Sequence, residues 1–213
     1  YNIRQYWDLA AAVNTPPATA PTLAQTTETL RGMLDDVVRR QLVSDVPVGA
    51  FLSGGIDSTT VTERMTRFYP GQVHSFSIGF PDPSFSELPF ADCAAQYLKS
   101  SHHAETVDPD LNSVLQPLAW FCDEPFSDTS ALPTQLLCRL ARSRLKVVLS
   151  GDGGDECFAG YDTYVADKVR SLYTRMVPGF LHRRIVLPLA RRLRASHLKV
   201  SWDYKISHFC EHA

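Results

Sequence analysis

The sequence predicts an α/β domain in which a parallel, twisted β-sheet is flanked by helices. Short apolar segments of strand length alternate along the chain with longer segments whose apolar residues recur at helical spacing. Because such alternation requires crossover connections, neighbouring strands are expected to run parallel. Two glycine-rich turns each follow a predicted strand, and ligands of parallel sheets bind beyond the carboxyl ends of the strands. We therefore expect both turns to share one sheet edge with the functional site.

The predicted elements follow in order from residue 23. Apolar residues at positions 30, 34, 37, 38 and 42 indicate a first helix over 23–42. A short apolar run at 46–52 reads as a strand, and the next helix, over 58–68, stops before Pro70-Gly71. Alternation over 73–80 predicts a second strand. Ser86 is the expected N-cap of a helix ending at Leu98, because a serine hydroxyl accepts hydrogen bonds from first-turn N–H groups.

The remaining core elements are a strand over 103–107, helices over 111–121 and 132–145, and a short buried strand over 146–149. Composition divides the chain into three parts. Residues 1–22 form an N-terminal arm and a proline-rich linker, 23–161 form the α/β core, and 162–213 form the start of a helical region. The chain opens at Tyr1 rather than Met and stops at Ala213 without a terminating motif, so we expect a fragment whose helical region is truncated.

Charge and composition narrow the classes of function. The formal net charge is -2 and the pI is about 6.4, whereas proteins that hold nucleic acid through phosphates usually carry a basic excess. No apolar run approaches the ~20 residues of a membrane span. The five cysteines form no CxxC pair, as expected for reduced thiols in the cytoplasm. We expect the protein to act on small-molecule substrates and to bind neither nucleic acid nor a membrane. The sequence leaves open whether the protein forms a homodimer.

The first glycine-rich turn, residues 53–58, reads Ser-Gly-Gly-Ile-Asp-Ser. Its glycines let the backbone approach a ligand closely, and the helix that follows offers unpaired N–H groups. Ser53 and Ser58 add hydroxyl donors, so the turn suits a phosphate group. It is neither a Walker A loop nor a GxGxxG fingerprint.

The second glycine-rich turn, residues 150–156, reads Ser-Gly-Asp-Gly-Gly-Asp-Glu. Its acids, Asp152, Asp155 and Glu156, would lie near the phosphate groups bound by the first turn. Acids in that position favour a Mg²⁺ ion between them and the phosphates, because Mg²⁺ prefers carboxylate and phosphate oxygens. A solvated acidic loop is the alternative.

Together, these motifs resemble a known family. The first turn resembles the pyrophosphate loop of ATP pyrophosphatases. With LSGDGGDE, the following Gly160-Tyr161 and the stretch from Asp123 to Pro133, the chain resembles the synthetase domain of asparagine synthetases. The resemblance implies an adenine nucleotide α-hydrolase-like fold and a ligase of asparagine biosynthesis. Aspartate and ATP would give β-aspartyl-adenylate and pyrophosphate, and ammonia derived from glutamine would then give asparagine and AMP.

The resemblance also implies roles for individual residues. Ser53, Gly54, Gly55, Asp57 and Ser58 would hold pyrophosphate. Leu52 and Ile78 would flank the adenine, and Ser150 and Gly151 would lie near the ribose and the α-phosphate. Asp57 and Asp155 would bind Mg²⁺, and Asp152 and Glu156 are the candidate catalytic residues.

Some features leave alternatives open. Asp152 stands where many asparagine synthetases carry Glu, so the acceptor is aspartate or a related carboxylate. The family's N-terminal glutaminase domain would precede Tyr1, and a catalytic lysine would follow Ala213. A β-lactam synthetase-like enzyme and a catalytically silent ATP-binding module are the rival interpretations. The adjacent His102 and His103 would point to opposite faces of a strand and so could not chelate one ion.

Overall fold

The computed structural model describes residues 2–14, 19–108, 110–124, 126, 128–192 and 202–212, and its centre is a four-stranded parallel sheet. The strands are β1 (Val48–Phe51), β2 (His74–Gly79), β3 (Ser101–Thr106) and β4 (Val147–Leu149). Their order across the sheet is β3-β2-β1-β4, so β1 lies between β2 and β4. In register, Ala50 pairs with Ser75 on one side and with Leu149 on the other. This confirms the predicted parallel α/β architecture.

Helices connect and cover the strands. Before the sheet come α1 (Leu9–Val13) and α2 (Leu23–Gln41), and between strands lie α3 (Ile56–Phe68), α4 (Leu88–Leu98), α5 (Leu111–Cys122) and α6 (Ala131–Arg142). A capping box starts α2: the Thr22 hydroxyl accepts from the Gln25 N–H at 3.3 Å, and the Gln25 side chain accepts from the Thr22 N–H at 2.9 Å.

The core lies between these helices and β1. Val38 of α2, Met65 of α3, and Val48 and Ala50 of β1 are each at most 4% exposed and form one cluster with Val73. Burial of this kind is the main force holding a helix against a sheet, at roughly 25 cal/mol per Å² of apolar surface. The packing holds α3 against β1, the two elements that the first glycine-rich turn connects.

Several predicted boundaries were wrong by a few residues. The first strand begins at Val48 rather than Val46, because Pro47 has no N–H to donate to a neighbouring strand. The third begins at Ser101 rather than 103, since its polar first residues pair with β2 from His74 onward and carry no apolar signal.

The predicted Ser86 cap was also wrong. Glu87 is the N-cap of α4, with no side-chain cap bond, and a proline in the first turn fixes the helix start. Ser86 instead belongs to the preceding turn, where its N–H donates to the Pro83 carbonyl at 3.3 Å.

Beyond the sheet, the described chain is helical. It contains α7 (Gly154–Phe158), α8 (Asp162–Met176), α9 (Gly179–Leu181), a π-helical turn (His182–Val186), α10 (Leu187–Ala190) and α11 (Trp202–His212). The division of the chain at residues 22 and 161 stays a prediction, and residues 15–18 of the linker lie outside the described residues. Among the helices described, none combines the length and apolarity needed to cross a membrane.

Candidate nucleotide-binding site

Both glycine-rich turns emerge at the same edge of the sheet. The first follows β1 and the second follows β4, and these strands are parallel neighbours. Between β1 and the first turn lies Leu52, which is 1% exposed. Its N–H donates to the Phe76 carbonyl at 3.0 Å, and its carbonyl accepts from the Ser77 hydroxyl. Leu52 therefore anchors the base of the turn to β2.

Hydroxyl groups organise the first glycine-rich turn internally. The Ser53 and Ser58 hydroxyl oxygens are 2.9 Å apart, and the Ser53 N–H donates to the Ser58 hydroxyl at 3.2 Å. The Gly55 N–H donates to the Ser53 hydroxyl at 3.2 Å. Gly55 is the N-cap of α3 and supplies no side-chain cap. The first-turn amides of α3 and its positive dipole end are therefore presented at the sheet edge.

Gly54 brings this turn directly against the backbone of α4. Its φ of +79° is a conformation that L side chains rarely adopt. A methyl group at this position would lie 2.6 Å from the Ala91 nitrogen and would also overlap the Phe90 carbonyl group. Both the backbone conformation and the close approach of α4 require glycine here.

The second glycine-rich turn packs against the first. A methyl group on Gly151 would lie 2.7 Å from the Ser58 nitrogen, and one on Gly154 would lie 2.5 Å from the carboxyl carbon of Asp57. The absence of side chains at these two positions lets the N-terminus of α3 and the second turn touch. Asp57 thus lies beside the backbone of the residue that precedes Asp155.

The three acids of the second turn are held in different ways. The Ser150 hydroxyl donates to the Asp152 carboxylate at 2.9 Å and accepts from the Asp152 N–H at 3.3 Å. The Asp155 carboxylate lies against Gly160, where a methyl group would be 2.8 Å from its carboxyl carbon. The Tyr161 hydroxyl donates to Glu156 at 2.7 Å, which lowers the pKa of Glu156 and raises the pKa of Tyr161 to about 12.

Of the residues expected to bind nucleotide, the structure brings most into one place. The two turns meet through Asp57 and Ser58 on one side and Gly151 on the other, while Ile78 lies on β2, the next strand, and is half-buried. Sequence reasoning gave no role to Gly154, whose lack of a side chain accommodates Asp57. The sequence signal for such a close contact is the presence of three glycines within the four residues 151–154.

The carboxylates at this edge are of the chemical type that Mg²⁺ takes. Within the described residues, no three His, Cys, Asp or Glu side chains are grouped so as to hold a metal unaided. Mg²⁺ in phosphate-binding sites needs only one or two carboxylates, since phosphate oxygens and water complete the octahedron. Asp57 and Asp155 supply carboxylates of that kind beside a turn suited to phosphate.

Two cavities lie away from this edge. One of about 440 Å³, between α2 and α3, is lined by residues that include Arg31, Glu63 and Arg64. The other, of about 360 Å³, is lined by Asp92 and His102 among others. Neither is lined by a residue that the sequence analysis assigned to the nucleotide, so the candidate site is defined by the two turns.

The two adjacent histidines do face opposite sides of the sheet, as expected. The His102 Nδ1 atom lies 2.8 Å from the Ser75 hydroxyl, whereas the His103 Nε2 atom lies 3.0 Å from the Nδ1 atom of His74. Ser75 and His74 are consecutive residues of β2, so their side chains project from opposite faces. The histidines therefore cannot chelate a single ion together.

Several known proteins are similar to this chain in sequence. The family model described as asparagine synthase matches residues 29–209. A putative glutamine-hydrolyzing asparagine synthetase 2 of Methanocaldococcus jannaschii is 42% identical over 151 residues, covering 70% of this chain and 29% of that protein. Glutamine-hydrolyzing asparagine synthetase 1 of Bacillus subtilis is 33% identical over 168 residues, covering 76% of this chain and 26% of that protein.

Among solved structures, the NH3-dependent NAD synthetase of Campylobacter jejuni is similar at 18% identity with a TM-score of 0.42, over 63% of this chain and 60% of that chain. That similarity is too low to bear on activity. The chain spans less than a third of the length of the two curated relatives above. Because the family model matches most of the chain, including both glycine-rich turns, the chain belongs to the asparagine synthase family.

Proposed function

We propose that this chain is the nucleotide-binding core of a synthetase domain that uses ATP to form an amide bond. The side-chain carboxylate of aspartate, or of a related acid, attacks the α-phosphorus of ATP. The bond between the α- and β-phosphates breaks and pyrophosphate leaves. Ammonia then attacks the acyl carbon, which gives asparagine or the corresponding amide, releases AMP and loses a proton. The contact between the two glycine-rich turns is the observation that carries this proposal.

The first glycine-rich turn would hold the β- and γ-phosphates that leave as pyrophosphate. First-turn amides of α3 have no side-chain cap, and the exposed Ser53 hydroxyl, which is paired with that of Ser58, can rotate to donate to an anion. Donors already fixed in place stabilise charge that develops on the leaving group more effectively than water does. Gly55, which is exposed, places no side chain between the turn and the phosphates.

Asp57 and Asp155 would hold Mg²⁺ between the turns and the phosphate oxygens. At ~4 Å and an effective dielectric near 20, each like-charge pair of a carboxylate and a phosphate costs about 4 kcal/mol. When bound, the ion supplies positive charge that offsets this repulsion and stabilises pyrophosphate as a leaving group. The position of Asp57 against Gly154, one residue before Asp155, supports this pairing.

The other parts of the substrates would bind at the same sheet edge. Ile78 would contact the adenine ring, with Leu52 beneath it as a buried support. Ser150 and Gly151 would lie near the ribose and the α-phosphate. Asp152 and Glu156, which project from the second turn, would act near the acyl group and the incoming ammonia.

Ammonia would come from a glutaminase domain of the full-length protein. The relatives compared above are named glutamine-hydrolyzing, and this chain covers less than a third of them. We propose a cytoplasmic enzyme in which that domain and a downstream lysine complete the reaction. Specificity for aspartate over a related acid would depend in part on Asp152, which is one methylene shorter than the Glu of many family members.

The proposal is tested by exchange of labelled pyrophosphate into ATP, measured with the full-length protein, aspartate and Mg²⁺. Asp57→Asn and Asp155→Asn should each abolish exchange, while Asp167→Asn on the exposed face of α8 serves as the matched control. Asp57 lies in the first turn of α3, so if its charge only favoured the helix dipole, Asp57→Asn would cost about 0.3–1 kcal/mol in stability and would leave exchange intact. Folded Asn variants that exchange at near-normal rates would refute the proposal.

A further inference from the structure

The chain segment after α7 contacts two acids of the second glycine-rich turn, Asp155 and Glu156. Ala159 adopts φ 58° and ψ 41°, a left-handed conformation that is uncommon for a residue with a side chain. Its N–H and the N–H of Gly160 both point to the carbonyl of Asp155, the latter at 3.0 Å. The chain therefore reverses direction and returns over α7. Strained conformations of this kind persist only where the surrounding contacts determine them.

Gly160, which has no side chain, leaves room for the Asp155 carboxylate. A methyl group on Gly160 would overlap a carboxylate oxygen of Asp155 and lie 3.1 Å from its Cα atom. Any other residue at 160 would push the Asp155 side chain away. The reversed segment thus determines where the first of the two α7 acids lies.

Tyr161 acts on the second acid. Its hydroxyl donates to a Glu156 oxygen at 2.7 Å, the length of a charge-assisted bond from a hydroxyl to a carboxylate. The ring packs beside that of Tyr164, with centroids 6.1 Å apart, and Tyr161 is also the extended N-cap residue of α8. The hydroxyl is therefore held by a helix start and by a neighbouring ring.

This bond is too exposed to matter much for folding. Tyr161 is 43% exposed and Glu156 is exposed, so solvent competes for the hydrogen bond between them. The bond favours one orientation of the Glu156 side chain, and the entropy lost in ordering that side chain offsets most of what the bond would add to stability. A long carboxylate side chain on a five-residue helix would otherwise sample several rotamers.

We propose that residues 159–161 form a clamp on α7 in which Tyr161 is a positioning residue for Glu156. The inference rests on the proposed function, in which Glu156 acts at the acyl group. Tyr161 contacts no substrate in this scheme and acts only through the carboxylate that it orients. The hydroxyl-to-carboxylate bond is the observation that points to this role.

The test is a double-mutant cycle in the full-length protein, with Tyr161→Phe, Glu156→Gln and both changes together. We expect Tyr161→Phe to lower kcat for amide formation about tenfold with little change in the KM for ATP, since a misplacement of ~1 Å costs ~10²-fold and this one is smaller. The double variant should be no slower than Glu156→Gln alone, because the hydroxyl has no second route to the reaction.

Tyr164→Phe is the matched control: it keeps the ring beside Tyr161 and should retain the wild-type kcat. Thermal unfolding of all variants should stay close to that of the wild type, which separates positioning from a folding defect. A wild-type kcat in Tyr161→Phe, or multiplicative losses in the double variant, would overturn the clamp while leaving the exchange results for Asp57 and Asp155 intact. A wild-type protein without aspartate-dependent exchange would overturn both proposals.

Discussion

Gly154→Ala probes the contact between the two glycine-rich turns. Gly154 lies in the right-handed helix α7, a conformation that alanine adopts readily, so the substitution introduces no backbone strain. The added methyl group would lie 2.5 Å from the carboxyl carbon of Asp57 and 3.0 Å from its Cβ atom. The perturbation is thus a single methyl group directed at one side chain.

The size of the effect follows from these distances. Carbon atoms in favourable contact are about 3.5–4.0 Å apart, so the Asp57 carboxyl group must retreat by roughly 1 Å. A displacement of that size at a catalytic group costs ~10²-fold in rate. The free energy of unfolding should change little, because Asp57 is half-buried and can rotate away from the methyl group.

The assay is Mg²⁺- and aspartate-dependent pyrophosphate exchange by the full-length protein, with urea unfolding as the measure of stability. Gly32→Ala is the matched control, because a methyl group at Gly32 on α2 meets no atom within 4 Å. That control should exchange at the wild-type rate and gain about 0.5–1 kcal/mol in the free energy of unfolding. Wild-type exchange by Gly154→Ala would show that the position of Asp57 does not matter.

Three further predictions concern the stability of one variant, the pH dependence of stability, and the absence of glutaminase activity from the isolated chain. Ser77→Ala removes the hydroxyl that donates to the Leu52 carbonyl, so the free energy of unfolding measured in urea should fall by about 1–3 kcal/mol; an unchanged value would contradict that bond. Burial lowers the pKa values of His102 and His103 below the ordinary 6.5, the latter also through Arg144 and His74, and the nearby Asp92 only partly opposes this at His102. The unfolded chain then binds protons first, so stability should be full above about pH 6.5 and fall below it; urea midpoints at about pH 7.5 and pH 5.5 that agree would contradict this. The isolated chain should release no glutamate from glutamine, and clear turnover would overturn the assignment of glutaminase activity to another domain.

Local patterns were enough to predict the architecture. Helical spacing in α2 and the apolar runs that became β1 and β4 depend only on which faces of each element are buried. The predicted start of β1 was wrong because Pro47 cannot donate a backbone hydrogen bond. The predicted start of β3 was wrong because the strand begins with polar residues at Ser101. Pairing with β2 along its whole length holds β3 in the sheet despite that composition.

The placement of the two turns at one sheet edge was predicted, because both turns follow strands that run parallel. The contacts within it were not predictable, since they join residues far apart in sequence. Gly154 touches Asp57, and Gly54 touches Phe90, only because β4 and α4 pack where they do. A sequence pattern indicates that glycine is present but not which distant atom requires it.

The close approach of Gly54 to Phe90 has a consequence for the order of folding. The first glycine-rich turn takes its shape from a segment 36 residues further along the chain, so a peptide that ends before α4 would contain the motif without its binding geometry. During synthesis, affinity for phosphate should therefore arise only after α4 has emerged and docked. Conversely, a bound nucleotide would resist the detachment of α4, and protection of the α4 amides from hydrogen exchange would rise with nucleotide concentration.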